Sequence, residues 1–145
     1  MKLEDARRMA ESLMRKHNLT PAWAFCFDRA KVRFGKCDYR HKRISLSSHL
    51  VQLNGEPEVL DTILHEIAHA LAPRGAGHGP AWQSLALAIG CNASRCYGTH
   101  VQRPQPRYVG KCTSCGQVIM RHRRTLIACG RCTRVFDPRY IFVWS

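Results

Sequence analysis

Apolar residues recur at intervals of three and four in three parts of the chain, which predicts three amphipathic helices. The first covers residues 2–17, where apolar side chains share one face and arginines occupy the other. The second covers residues 58–71 and is apolar over most of its surface. The third covers residues 81–89, since Pro80 suits a first helical turn and Gly90 suits a C-terminal cap.

Alternation of apolar and polar residues predicts short strands between and after these helices. Three strands precede the second helix, at residues 23–27, 31–39 and 43–46. The last two are expected to cover one face with the bulky residues Val32, Phe34, Ile44 and Leu46. Ser47 and Ser48 can cap a short helix that ends at Leu53. Two further strands are predicted at residues 117–127 and 135–144.

Helices combined with short strands indicate an α+β fold. The segment at 103–107, Arg-Pro-Gln-Pro-Arg, is typical of a connector, so we predict one domain at 1–102 and a small module at 103–145. There is no apolar run of 18 residues that would span a membrane. The charged N-terminus does not resemble a signal peptide, and we therefore expect an intracellular protein.

The second predicted helix carries the segment His65-Glu66-Ile67-Ala68-His69. Residues four apart lie on the same helix face, so both imidazoles can bind one small cation at ~2.0–2.1 Å. Glu66 is then expected beside the metal, where it can take a proton from a bound water. The alternative is that such a segment occurs by chance, with histidines that are only hydrogen-bonded.

A catalytic zinc site has three protein ligands and one open position. His78 is the predicted third ligand, because it follows the helix at short range and its flanking glycines let the backbone approach a site closely. The apolar flanks of the helix also leave His65 and His69 in need of partners or a metal. In the expected mechanism Glu66 takes a proton from a zinc-activated water and passes it to the leaving amine. The sequence does not identify a further donor, such as a tyrosine or histidine, that would stabilise the transition state.

The chain has eight cysteines, and in a reducing compartment paired cysteines indicate metal binding rather than disulfides. Cys112-Thr-Ser-Cys115 and Cys129-Gly-Arg-Cys132 are separated by thirteen residues, which predicts a structural four-cysteine zinc site of the zinc-ribbon type. A module of about forty residues buries too little apolar surface to be stable without such a site. The remaining cysteines are expected to be buried free thiols: Cys26, Cys37, Cys91 and Cys96.

The formal net charge is +13, and it is concentrated towards the C-terminus. Residues 101–145 contain nine Lys or Arg and one acid, Asp137, whereas residues 1–100 carry a net charge of only +5. A polyanionic partner is expected, and nucleic acid is the commonest one, although the charge could also serve solubility alone. The predicted DNA contacts, to single or double strands, are Arg121, Arg123, Arg124, Arg131 and Arg134.

The order of these features resembles the SprT-like metalloproteases, the group that contains Spartan. His65-Glu66-x-x-His69 and Gly77-His78-Gly79-x-x-Trp82 fit the ligand pattern of that family, and the cysteine pairs fit its zinc-binding appendix. Eight residues separate His69 from His78, whereas five separate the corresponding histidines of metzincins.

This resemblance implies a small zincin-type protease domain, with helices packed on a short β-sheet, followed by a zinc ribbon. It implies two zinc ions per chain, a catalytic one on the three histidines and a structural one on the four cysteines. Family members of the Spartan type are DNA-dependent proteases that cut proteins covalently trapped on DNA. A monomeric endopeptidase in the cytoplasm, nucleoid or nucleus is therefore expected. The absence of a long partner-binding tail favours a microbial or viral relative.

Two other functions are compatible with these residues. A non-catalytic nucleic-acid-binding zinc protein would use the histidines structurally, but such a site has no need of the base that Glu66 provides. A general metalloprotease without DNA dependence would have a basic module with no role in cleavage. Stimulation of cleavage by DNA separates this last function from the expected one.

Overall fold

The computed structural model describes residues 1–95 and 97–145, and its contacts divide the chain into Met1–Pro104 and Gln105–Ser145. This division falls two residues beyond the boundary that the sequence predicts. Each unit combines helical turns with short antiparallel or mixed strands, as expected for an α+β chain. Within the described residues, no helix is both long enough and apolar enough to cross a membrane.

The predicted helices of the first unit are present, with ends shifted by one or two residues. They are α1 (Leu3–Lys16), α2 (Ser48–Leu53), α3 (Glu56–Leu71) and α4 (Pro80–Ala88). Ser47 caps α2, because its hydroxyl accepts the backbone N–H of Leu50 at 3.2 Å. Gly90 ends α4 with φ +97°, the left-handed conformation that favours glycine after a helix.

Three strands of the first unit form one sheet in the order β1-β3-β2: β1 (Ala24–Asp28), β2 (Gly35–Asp38) and β3 (Arg43–Ser47). Strand β1 runs parallel to β3, and β2 runs antiparallel to it. The prediction of a strand over residues 31–39 was wrong for its first half. Asp28 accepts the backbone N–H of Ala30 at 2.9 Å and a guanidinium N–H of Arg33 at 2.8 Å, so the chain turns around this carboxylate. Val32 is therefore 62% exposed, whereas the other three residues of the predicted covered face are buried.

Strand β2 is an edge strand, and residues of its outer edge line the cleft described below. The backbone N–H of Ser47 donates to the carbonyl of Phe34 at 2.7 Å, which fixes the hydrogen-bonded pairs of the β2–β3 ladder. Because such pairs alternate along an antiparallel strand, Gly35 and Cys37 direct their backbone N–H and C=O groups away from β3.

Helix α3 is the centre of the first unit, because two hydrophobic clusters pack on different sides of it. One side contacts α1 and β3 through Val59, Ile63 and Ile67, all fully buried. The other side contacts α4 through Leu64 and Ala68. Burial on both sides explains why the α3 sequence is apolar around most of its circumference.

The second unit is built on an antiparallel sheet in the order β5-β4-β6. Its strands are β4 (Tyr108–Cys112), β5 (Val118–Arg121) and β6 (Phe142–Trp144), and a 3₁₀ turn at Pro138–Tyr140 precedes β6. The two predicted strands were therefore too long, and the central strand β4 was not predicted. A glycine is required at Gly110 in this strand, because a Cβ there would lie 2.9 Å from the Trp144 ring. The buried core consists of Cys112, Cys129 and Phe142.

Candidate metal centre

Helix α3 places His65 and His69 one turn apart on the same face, and their Nε2 atoms are 3.2 Å apart. The chain then leaves the helix and returns in the loop at 72–79, where Gly75 and Gly77 adopt positive φ angles of +83° and +54°. This return brings His78 Nε2 to 3.1 Å from each of the other two Nε2 atoms. The structure thus brings the three predicted histidine ligands together.

The three Nε2 atoms form a triangle that hydrogen bonds alone do not satisfy. Each neutral imidazole Nε2 is either a donor or an acceptor, so in any triangle at least one pair consists of two donors or two acceptors. A cation at the centre removes this conflict, because it accepts all three lone pairs. A tetrahedral zinc ion with bonds of ~2.0–2.1 Å separates its nitrogen ligands by about 3.3 Å, close to the observed distances.

The electrostatics of the three histidines also suit a metal. Burial, reinforced by the charge of the neighbouring histidines, lowers the pKa of His65 to about 4. Burial and His78 likewise lower the pKa of His69 to about 4. The pKa of His78 is lowered by burial and by the charge of Arg95. Neutral imidazole is the form that binds metals, so all three are ready ligands at neutral pH.

Two aromatic residues hold the ligands in place. The Trp82 indole lies against all three imidazoles, with ring centroids 4.7 Å from His65, 5.1 Å from His69 and 4.7 Å from His78. Its Nε1 donates to the backbone carbonyl of His65 at 3.4 Å, so α4 packs against α3 at the ligands themselves. Tyr39 donates its hydroxyl to the carbonyl of His69 at 2.6 Å.

Glu66 lies beside the histidine triangle, where the sequence predicted the catalytic acid–base. Its side chain is only 4% exposed, and burial raises its pKa to about 8, against the opposing effects of Tyr97 and Arg33. The carboxyl packs on β2 at Gly35, where a Cβ would lie only 2.7 Å from Glu66 Oε1. Because residue 35 has no side chain, the Glu66 carboxyl can lie against the backbone of β2.

The histidines and Glu66 line one open cleft of about 490 Å³. Its other walls include Cys37 of β2 and Tyr39 just after this strand, together with Arg95 and Tyr97 from the segment after α4. The sequence prediction missed the roles of these residues in the cleft. No periodicity or motif marks them, because they lie near Glu66 only in the folded chain.

The four predicted cysteine ligands of the second unit also converge. All four sulfur atoms lie within 4.8 Å of one another, with 3.9 Å between Cys112 and Cys132 and 3.6 Å between Cys115 and Cys129. A tetrahedral zinc ion with Zn–S bonds of ~2.3 Å separates its sulfur ligands by about 3.8 Å. The cluster therefore fits a structural metal ion of this size.

Two thiols of the cysteine cluster have pKa values shifted in opposite directions. Backbone N–H groups of Cys115 and Ser114 lower the pKa of Cys112 to about 7, against the opposing effect of burial. Burial, together with hydrogen bonds to neighbouring thiols, raises the pKa of Cys132 to about 12. Four adjacent thiolates repel one another, and a dication among them supplies the charge that allows all four to ionise.

The cysteines outside this cluster were predicted to be buried free thiols. Cys26, Cys37 and Cys91 are free, but only Cys91 is buried, whereas Cys26 on β1 and Cys37 on β2 are half-buried. Burial and the charge of Glu66 raise the pKa of Cys37 to about 12, so this thiol stays protonated in the cleft. The prediction for Cys96 lies outside the described residues.

The five arginines predicted to contact DNA are all exposed. Arg121 faces Tyr108 across the β4–β5 ladder, and the guanidinium of Arg124 lies 4.9 Å from the centre of the Tyr108 ring. Arg107, which was not among the predicted contacts, lies 5.7 Å from the same ring. Arg107 and Arg124 thus lie against one tyrosine ring of the second unit, and Arg121 is the cross-strand neighbour of this tyrosine. The other predicted contacts, Arg123, Arg131 and Arg134, are not in contact with this ring in the described structure.

Comparison with known proteins identifies the first unit. Curated proteins and solved structures gave no match to the chain. A sequence model described as SprT-like matches residues 3–104, the span that contains α3, the histidine triangle and Glu66. The chain therefore belongs to the SprT-like family, and this span is its metalloprotease-type domain.

Proposed function

We propose that the protein is a zinc-dependent endopeptidase that cleaves proteins bound or crosslinked to DNA. The observation that carries this proposal is the cleft in which three imidazole nitrogens, 3.1–3.2 Å apart, lie beside the buried carboxyl of Glu66. A site with metal ligands alone could be structural. A buried carboxyl beside the ligands supplies the proton carrier that hydrolysis requires.

Each residue of the site has a defined task in this reaction. His65, His69 and His78 would hold the zinc ion, which, when bound, activates water and polarises the peptide carbonyl. Glu66 accepts the proton of the attacking water and delivers it to the leaving amine. Burial favours the protonated carboxyl, which assists the delivery step, whereas a zinc ion on the histidines would favour the carboxylate, which assists the acceptance step.

The edge of β2 supports an extended polypeptide as the substrate. Gly35, Cys37 and Tyr39 line the cleft, and Cys37 directs its backbone N–H and C=O outward from the sheet. An extended peptide can pair with these groups as an additional strand, which would place its backbone along the metal centre. This arrangement favours unfolded segments or extended loops, because their backbone groups are free to pair with the strand.

The charge of the second unit supports DNA as the partner. Asp137 is the only acid in residues 101–145, and it pairs with Arg139 at 2.7 Å. The remaining arginines of this segment therefore have no carboxylate partner within it. Exposed guanidinium groups such as those around Tyr108 bind phosphates by releasing counterions, which gives affinity without sequence preference.

Cleavage of a DNA-bound protein is the direct test of the proposed function. Wild-type protein should cut a DNA-binding protein faster when DNA is present, whereas Glu66→Gln should retain its zinc and lose essentially all cleavage. Cleavage by Glu66→Gln at the wild-type rate would refute the proposed mechanism. Cleavage that is independent of DNA would instead indicate a general metalloprotease.

The DNA contacts are tested separately by charge reversal. Replacing Arg121, Arg123 and Arg124 with glutamate should weaken binding to all DNA sequences similarly and reduce its dependence on salt. Zinc at the histidines should be unaffected, while DNA-stimulated cleavage should fall together with DNA affinity.

A charge-matched control is available in the first unit. Arg29 and Lys31 precede β2, Arg40 lies in the turn between β2 and β3, and all three are exposed. Their replacement by glutamate produces the same change in net charge. This variant should retain DNA affinity. If it loses affinity and the first variant does not, DNA binds to the hairpin rather than to the second unit.

A further inference from the structure

Tyr97 lies in the cleft between the edge of β2 and Glu66. Its hydroxyl oxygen is 3.2 Å from the backbone nitrogen of Gly35 and 3.5 Å from Oε1 of Glu66. The N–H of Gly35 can only donate, so the hydroxyl accepts it. The hydroxyl therefore keeps its one proton free, and it donates this proton to Oε1 of Glu66.

The tyrosine ring is itself held by packing. Its centroid is 5.7 Å from that of Phe34, which is fully buried, and 6.1 Å from that of His65. The Glu66 side chain fills the space left by Gly35, since a Cβ there would lie 2.8 Å from Glu66 Cγ. The carboxyl is thus confined between a strand backbone and one directed hydroxyl.

We propose that Tyr97 is a positioning residue, whose hydroxyl orients the Glu66 carboxyl for proton transfer. This inference rests on the proposed function, because it assigns a role within the same reaction. A carboxyl that loses this donor keeps its burial and its neighbours but can rotate about its terminal torsion, which is broad and weakly restrained. The hydroxyl should therefore contribute to turnover rather than to metal or substrate affinity.

Tyr97→Phe removes the hydroxyl and retains the ring that packs on Phe34. With a fluorescein-labelled DNA-binding protein as substrate and DNA present, kcat should fall at least about tenfold, as is typical when an outer hydrogen bond of a metal site is lost. KM, zinc content and Tm should stay close to the wild-type values. Tyr140→Phe, in the second unit, is the control for the loss of a tyrosine hydroxyl, and it should leave kcat unchanged.

A double-mutant cycle tests whether Tyr97 acts through Glu66. Glu66→Asp retains a carboxyl but shortens the side chain, so it should keep a low activity and lose the contact with Tyr97. Tyr97→Phe should then cause little additional loss in the Glu66→Asp protein.

The outcomes distinguish this inference from the proposed function. An active wild type with an equally active Tyr97→Phe variant overturns the role of Tyr97 and leaves the protease intact. Loss of zinc or a raised KM in Tyr97→Phe, or full additivity in the cycle, also overturns it, because the residue would then act on structure or binding. A wild type that cleaves nothing overturns both proposals.

Discussion

At the scale of single residues, Glu66 is a titratable carboxyl that is buried, and burial disfavours its charged form. Burial between α3 and β2 raises its pKa to about 8, so the folded protein without metal holds this proton more tightly than the unfolded chain does. Between pH 4.5 and about 8 the folded state therefore binds more protons, and its stability falls as pH rises through this window.

This linkage gives a prediction for protein stripped of metal with a chelator. Glu66→Gln removes the titrating group, so the stripped variant should be more stable than stripped wild type at pH 8, by an amount on the order of a few kcal/mol. The difference should vanish near pH 4. It is measured as the difference in Tm between the two proteins from pH 4 to pH 8.

Titration of the histidines does not change the expected difference in Tm between the two proteins. The pKa values of His65 and His69 are lowered to about 4, so they destabilise the folded state as pH falls below 6.5, but they do so in both proteins. Parallel Tm curves for the two proteins across the window would show that the carboxyl of Glu66 is not buried in solution.

At the scale of elements, β2 and α3 meet at a contact that only glycine permits. A Cβ on Gly35 would lie 2.7 Å from Glu66 Oε1 and 3.0 Å from Thr62 Cγ2. Both atoms belong to α3, so Gly35→Ala forces the strand and the helix apart or displaces the carboxyl.

Gly35→Ala should therefore reduce both stability and cleavage. Overpacking of this kind costs about 1–3 kcal/mol, which chemical denaturation can measure. Gly130→Ala is the matched control, because a Cβ there meets nothing within 4 Å and its φ is not positive. Equal stability of the two variants would contradict the close contact between β2 and α3.

Elements with a strong internal period could be predicted from the sequence, whereas contacts between elements could not. The apolar stripe of α1 and the nearly continuous apolar surface of α3 identify both helices, and the spacing of the histidines identifies the ligands. Strand β4 has no comparable signal, because Gly110 interrupts it and the strand is fixed by pairing with β5 and β6. Gly35 and Tyr97 are 31 residues from Glu66 on either side, so their roles exist only in the folded chain.

At the scale of the whole molecule, each of the two units contains its own ligand cluster. The histidines all lie in Met1–Pro104, and the cysteines all lie in Gln105–Ser145. Neither cluster uses a ligand from the other unit, so each metal should bind and be lost independently.

Protein purified without added metal should therefore contain two zinc ions per chain by elemental analysis. His69→Ala and Cys112→Ser should each remove one ion and leave the other. In Cys112→Ser the second unit should also lose its fold, because its buried core is too small to persist alone. A zinc content near one that Cys112→Ser does not change would exclude the cysteine site.

The distance along the sequence between the residues of the site indicates the order in which their contacts form during folding. All three histidines fall within residues 65–78, so a short peptide already contains the ligands and closing the chain around a metal costs little entropy. The Tyr97 hydroxyl reaches Glu66 only after folding has brought residues 35 and 97, which are 62 positions apart, into contact. A nascent or partly unfolded chain should thus capture zinc before it can catalyse anything, which would protect the cell from a protease that is still folding.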